Sequence, residues 1–220
     1  MTMYLYNLHT HRLGPEEIDG YKIRYILNTS PDEFSALSPV GDNVRFSCGI
    51  HPWFSDKSED QLKQLRDIAS DPRIVAIGEV GLDKLKGPEL SIQTNVFRQQ
   101  IEIALEFAKP IIIHCVKAWD ELIALHKEYR AISGPAWIIH GYRGNPQQTK
   151  QLAKLGFKFS LGENFNKESL MFIPTDSIFC ETDMSESSVC KVYSLLSLSL
   201  GVEFNHFALF VSRNMGFYSI

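Results

Sequence analysis

Residues 110–115 read Pro-Ile-Ile-Ile-His-Cys, an apolar run with no polar side chain on either face, closed by a histidine. Unbroken apolarity over so few residues suits a strand covered on both sides, as in a parallel sheet; a strand with one wet face would alternate instead. Seven further runs share the design: MYLYNLH (3–9), KIRYILN (22–28), VRFSCGIH (44–51), RIVAIGEVG (73–81), AWIIH (136–140), FKFSL (157–161) and SIFCETD (177–183). Between them lie stretches with helical spacing. Ser58 to Ser70 places Leu62, Leu65, Ile68 and Ala69 on one face; Val96, Phe97, Ile101, Ala104, Leu105 and Ala108 do the same for a longer helix, and Leu122, Ile123, Leu125 and His126 for the next. Strands alternating with helices imply right-handed βαβ units, and eight of them predict a small (β/α)8 TIM-like barrel. The early outer helices are expected to be shortened, because Arg12 to Tyr21 has room for barely a turn or two and Ser30 to Asp42 carries two prolines.

Length and composition fit one domain over residues 1–220, with no linker, repeat or low-complexity tract. The chain is 44% hydrophobic and 22% charged, ordinary values for a globular protein. No signal peptide and no run of membrane-spanning length is visible, so a cytoplasmic location without membrane partner is expected. Cys48, Cys115 and Cys180 fall in predicted strands and Cys190 in a helix, without CxxC spacing; they read as reduced core residues, which argues against a cysteine zinc site. A net charge of −4 argues against a general electrostatic grip on nucleic acid. A phosphate substrate stays open, since divalent ions in a cleft supply positive field locally.

Six potential ligands stand at strand ends: His9, His11, Glu79, His114, His140 and Asp183. In a strand, side chains two apart share a face, so His9 and His11 can converge on one ion; the alternative is a pair of polar histidines bonded to neighbours. Glu79 follows apolar residues and is flanked by glycines that allow close approach. A carboxylate there is costly unless paired with a cation or metal-bound, and a bridging role between two ions fits. A single His ending an apolar run is more often a core residue than a ligand, but His114 and His140 at equivalent ends, with the HxH and Glu79, form a pattern. Asp183 could cap a helix starting near Glu186; in a barrel the last strand adjoins the first, which sets it beside His9 and His11. His51, in CGIHPWF, is expected on the rim as a substrate contact, with Pro52 stiffening the loop and Trp53 or Phe54 available to stack on a base or simply to cover the core. His126 and His206 lie in helical sequence and carry no assigned chemistry.

NLHTH, GIHPWF, AIGEVGLD, the Phe97-to-Gln100 helix before PIIIHC, HGYRG followed by LGFKFSLG, and ETD occur in an order that resembles the TatD-type metal-dependent deoxyribonucleases, within the amidohydrolase-like TIM-barrel hydrolases. The likeness covers nearly the whole chain, ending with a helix near Arg213 to Tyr218. It implies His9, His11, Glu79 and Asp183 around one divalent ion, Glu79, His114 and His140 around a second, and His51 as a substrate contact. Departures fall on the rim. Asn7 stands where the family has Asp, Val116 where it has Arg, Lys84 where an aromatic follows GLD, Arg143 where a small hydroxyl residue stands, and Ser185-Glu186-Ser187 where a proline and an aromatic follow ETD.

The expected activity is hydrolysis of a phosphodiester, DNA by resemblance, by water activated between two ions of Mg, Mn or Zn. Asp183 is the expected general base and Glu79 the bridging carboxylate. Lys84, Lys117 and Arg143 are candidate phosphate contacts replacing the missing arginine. Two other readings stand beside it: an amidohydrolase of a small molecule, which in many cases would carry a carboxylated lysine where Glu79 stands, and a non-catalytic barrel. No protein partner is expected.

Overall fold

The computed structural model describes residues 3–37, 40–129 and 134–216. Along the chain run β1 (Tyr4–Thr10), β2 (Glu17–Ile18), β3 (Tyr21–Thr29), α1 (Pro31–Ser35), β4 (Val44–Cys48), α2 (Glu59–Ile68), β5 (Ile74–Asp83), α3 (Leu90–Glu106), β6 (Ile111–Val116), α4 (Trp119–Tyr129), β7 (Trp137–Ile139), α5 (Pro146–Leu155), β8 (Lys158–Leu161), α6 (Lys167–Leu170), β9 (Ile178–Cys180), α7 (Val189–Leu200) and α8 (Phe204–Gly216). Short 3-10 turns occupy Pro52–Lys57 and Thr175–Ser177. All eight runs picked out by apolarity are strands. The closing helix expected near Arg213 to Tyr218 is α8, whose described part stops at Gly216; residues 217 and 218 lie outside the described residues.

The connection after β1 departs from expectation. Instead of a remnant helix, β2 folds back antiparallel on β3, with Ile18 opposite Tyr21. The two residues between them, Asp19 and Gly20, have φ of 52° and 82°. Asp-Gly is the pair that accepts a left-handed turn at both positions, so local turn chemistry overrides the remnant helix. The next connection keeps one helical turn: in α1, Ser30 accepts from the Glu33 N–H while the Glu33 carboxylate accepts from the Ser30 N–H, and Pro31 opens the helix.

The chain forms two compact units, residues 1–27, 41–45 and 138–220, and residues 28–40 and 46–137. In the first, β1 runs parallel to β3 from Tyr4 opposite Lys22 to Thr10 opposite Leu27, β7 pairs with β8, and β8 with β9, all parallel. A parallel bridge between Thr10 and Asp183 joins the segment after β9 to β1. Helices α7 and α8, bent 108° from one another, pack on β1 and β9 through fully buried Tyr193 and Phe207. Among the described residues no single helix is long and apolar enough to cross a membrane.

In the second unit, β4 pairs with β5 and β5 with β6, again parallel. Helix α3 lies on β5, burying Phe97, Ile101 and Ala104; full burial of a side chain such as Phe97 contributes about 1.5–3 kcal/mol. The same helix carries two buried glutamines, Gln93 and Gln100, seven residues and so two turns apart. Gln100 accepts from the Ile50 N–H and donates to the Ile50 carbonyl; Gln93 does the same for Asp83. Each clamps the backbone at a strand end where site residues begin. The four cysteines are free thiols. Burial pushes Cys48 and Cys115 up to about 12 and Cys190 up to about 11, so they behave as inert core residues.

Candidate metal centre

Candidate ligands gather in each unit. In the first, backbone pairing does the positioning: Asp183 N–H donates to the His9 carbonyl at 3.0 Å and His11 N–H donates to the Asp183 carbonyl at 3.3 Å. Asp183 takes a φ of 51°, in the left-handed region that Asp tolerates better than most residues. Its Oδ1 then lies 3.8 Å from His9 Nε2 and 3.5 Å from His11 Nε2. The His140 ring, reached from the end of β7, stands 4.3 Å from that of His9. Ligand atoms of His9, His140 and Asp183 all fall within 4.8 Å of one another. His9 is fully buried, whereas the Asp183 side chain is 37% exposed, so this cluster has a dry back and a wet front.

Two further residues brace that cluster. Asn7, on β1, donates from Nδ2 to Thr182 Oγ1 at 2.7 Å and accepts the Thr182 N–H at 3.1 Å. Asn7 therefore ties β1 to the residue before Asp183. Glu181, 1% exposed, accepts the Gly141 N–H at 2.6 Å and stands 3.5 Å from His140 Nδ1. It had no role in the sequence reading; the ETD motif contained the signal, a second carboxylate one residue past an apolar strand.

In the second unit Glu79, 4% exposed, is the centre. Its Oε1 lies 2.9 Å from His114 Nδ1 and 3.1 Å from His51 Nε2, and its N–H donates to Asn28 Oδ1 at 2.6 Å. The flanking glycines allow it. A Cβ on Gly78 would stand 2.8 Å from the Ile112 carbonyl oxygen, and one on Gly81, at φ 138°, 2.0 Å from that of His114. Only glycine lets β6 come so close to β5.

His51, expected on the rim as a substrate contact, shares a group with Glu79 and His114, their ligand atoms within 4.8 Å of one another. Its Nδ1 accepts the Trp53 N–H at 3.2 Å, which in the neutral ring leaves the proton on Nε2, facing Glu79. His51 is thus set as a donor to the carboxylate. His114 Nε2 lies 3.2 Å from Asp83 Oδ2, which also accepts the Trp53 indole N–H at 2.7 Å. A carboxylate behind a ligating histidine fixes its tautomer and raises its basicity. Burial pushes Asp83 up, but Trp53, the Leu85 N–H and His114 outweigh it and hold the carboxyl below its ordinary range. Asp83 was legible only as part of GLD.

The rim cations are placed differently from one another. Lys84 Nζ is paired with Glu121 at 2.8 Å, and that pairing holds Glu121 below the usual carboxylate range. Lys117 and Arg143 are exposed and make no side-chain hydrogen bond or ion pair among the described residues. Val116 closes β6, its carbonyl accepting the Lys84 N–H at 3.0 Å. Trp53, half-buried, has Lys86 Nζ 3.4 Å from its ring centre, while Phe54 is 62% exposed.

The sequence profile of a family described as TatD related DNase matches residues 25–191. The chain belongs to that family. The match opens after the His9 and His11 pair. The uncharacterized metal-dependent hydrolase YcfH of Escherichia coli is 30% identical over 168 residues, covering 72% of this chain and 63% of its own length. The 3'-5' ssDNA/RNA exonuclease TatD of Erwinia billingiae is 29% identical over 150 residues, 62% of this chain and 56% of that protein. The chain thus spans under two thirds of each. Among solved structures, the TatD homologue YjjV of E. coli superposes with a TM-score of 0.80 at 20% identity, covering 96% of both chains, which shows the fold to be the (β/α)8 barrel of the TatD proteins. A TatD family hydrolase from Entamoeba histolytica gives 0.76 at 15% identity over 97% of each chain.

Proposed function

We propose that the protein, acting as a single domain, is a metal-dependent phosphodiesterase that hydrolyses DNA with two divalent ions. His9, His11, His140 and Asp183 of the first unit and Glu79 and His114 of the second would hold the ions. The observation that supports this reading best is the convergence of imidazoles on carboxylates in compact groups. Mixed imidazole and carboxylate donors fit Mn and Zn, and the carboxylates extend the choice to Mg. When bound, such ions supply Lewis acidity and lower the pKa of water.

The residues themselves do the rest. Asp183, over a third exposed beside two imidazoles, would take a proton from an attacking water. Glu79, dry and fed an N–H by His51, faces His114. Asp83 holds the His114 ring. Lys117 and Arg143 are the phosphate contacts; Lys84 would first have to leave Glu121, a partly exposed pair that costs little to break. The Erwinia relative's name supports exonucleolytic action on a single strand from its 3' end. Four reduced cysteines agree with a cytoplasmic place of work.

Single-stranded DNA labelled at either end, digested with Mg, Mn or Zn and with a chelator, tests the reading. Metal-dependent shortening is the expected result. Intact DNA with turnover of a lactone or amide panel would assign an amidohydrolase instead, and protein that binds no metal would be a non-catalytic barrel.

A further inference from the structure

The hairpin that replaces the first outer helix borders a cavity of about 470 Å³ within the first unit, between the β1–β2 connection and the segment after β9. That volume is in the range of small-molecule sites, about 300–1,000 Å³. Leu13, Pro15, Ile18, Tyr25 and Val189 give it apolar walls. Thr10 and Thr182, chain neighbours of His9, His11 and Asp183, also line it.

Most polar groups of the lining are already engaged. Asn7 and Thr182 bond each other, Thr10 Oγ1 donates to the Arg12 carbonyl at 2.8 Å, and the Tyr25 hydroxyl donates to the Pro15 carbonyl at 2.8 Å. The Ser185 and Ser187 hydroxyls are taken by Glu163. Arg12, also lining the cavity, is engaged more loosely. Its side chain is 50% exposed, bonded through Nη2 to the Met184 carbonyl and 3.6 Å from a 90% exposed Glu186 carboxylate. An exposed pair of that kind holds weakly. The guanidinium N–H groups not bonded to Met184 can therefore turn to a phosphate.

We propose that this cavity is a subsite for the base and sugar of a substrate nucleotide, with Arg12 taking that nucleotide's phosphate. The proposal rests on the phosphodiesterase reading above. Walls with few unspent donors hold a base by contact area, so the subsite does not distinguish one base from another but does distinguish a nucleotide from a bare sugar phosphate.

Calorimetric titration of the purified protein, with Mn present, against thymidine 5'-monophosphate, deoxyadenosine 5'-monophosphate and 2-deoxyribose 5-phosphate tests it. Both nucleotides are expected to bind about tenfold more tightly than the sugar phosphate and within a few-fold of each other. Leu13→Ser, at a 45% exposed loop position where folding is little affected, should shrink that preference; Arg12→Ala should weaken all three ligands together. Equal binding of nucleotide and sugar phosphate, or a preference unmoved by Leu13→Ser in protein whose circular dichroism matches wild type, would overturn the subsite. If the preference appears while labelled DNA stays intact, the nuclease reading fails and the subsite stands; if DNA is cut without it, the reverse holds.

Discussion

Asp83→Asn exchanges one oxygen for a nitrogen, yet the structure leaves no place for the new donor. Oδ2 accepts the Trp53 indole N–H and faces His114 Nε2, while Oδ1 accepts the N–H groups of Leu85 and Lys86 at 2.8 and 3.2 Å. Turned one way, the amide points its NH2 at an indole N–H; turned the other, at two backbone N–H groups. Either way a buried donor loses its acceptor, which costs about 1–3 kcal/mol. In a chain of 220 residues each kcal/mol moves Tm by about 2–4 °C, so the chelated protein should melt some 4–8 °C lower for a loss near the middle of that range. Removing the carboxylate behind a ligating histidine should also weaken divalent metal binding by about 10- to 100-fold. Thermal denaturation in chelator reads the first effect and metal titration the second. A variant with unchanged melting and unchanged affinity would refute the placement of Asp83 behind His114. Lower melting with full affinity would leave Asp83 a purely structural residue.

Asp183→Asn should keep the fold and much of the metal while losing most turnover, and wild-type rates on a labelled strand would remove Asp183 as the base. Glu79→Gln should lower the amount or affinity of bound metal, measured by elemental analysis against the parent; unchanged values would count against the Glu79 and His114 site. Val116→Arg should lower KM for a DNA or model diester about fivefold, with a steeper salt dependence and little change in kcat, as one added charged contact of roughly 1 kcal/mol predicts. If Lys117 or Arg143 already grips the phosphate, that change is neutral and alanine at the true contact raises KM. Glu163 is held down to about 2 by Lys191, Ser185 and Ser187. Its folded pKa lies below the ordinary value of 4.5, so its anchoring of the segment after β9 is complete above that value and lost as pH falls through about 2. Proteolysis within residues 184–188 should rise over that window, and Glu163→Gln should show the higher susceptibility already at neutral pH.

Much of this protein is written locally. The eight strands could be read because burial on both faces demands an unbroken apolar run, and that demand acts on consecutive residues. His9 and His11 could be paired because the two-residue period of a strand is a property of the backbone alone. The glycines around Glu79 announced a close approach, and β6 makes it. The Asp19-Gly20 hairpin is equally local, spelled by a turn pair between two short runs. What only the tertiary structure decided is which atoms meet across strands. His51 faces Glu79, Asp83 backs His114, Asn7 grips Thr182 and Lys84 is held by Glu121. Each of these pairs joins residues far apart in the chain, and its existence depends on strand register and side-chain rotamer. A shift of one residue in pairing sends a side chain to the opposite face, and nothing in the residues nearby records that choice.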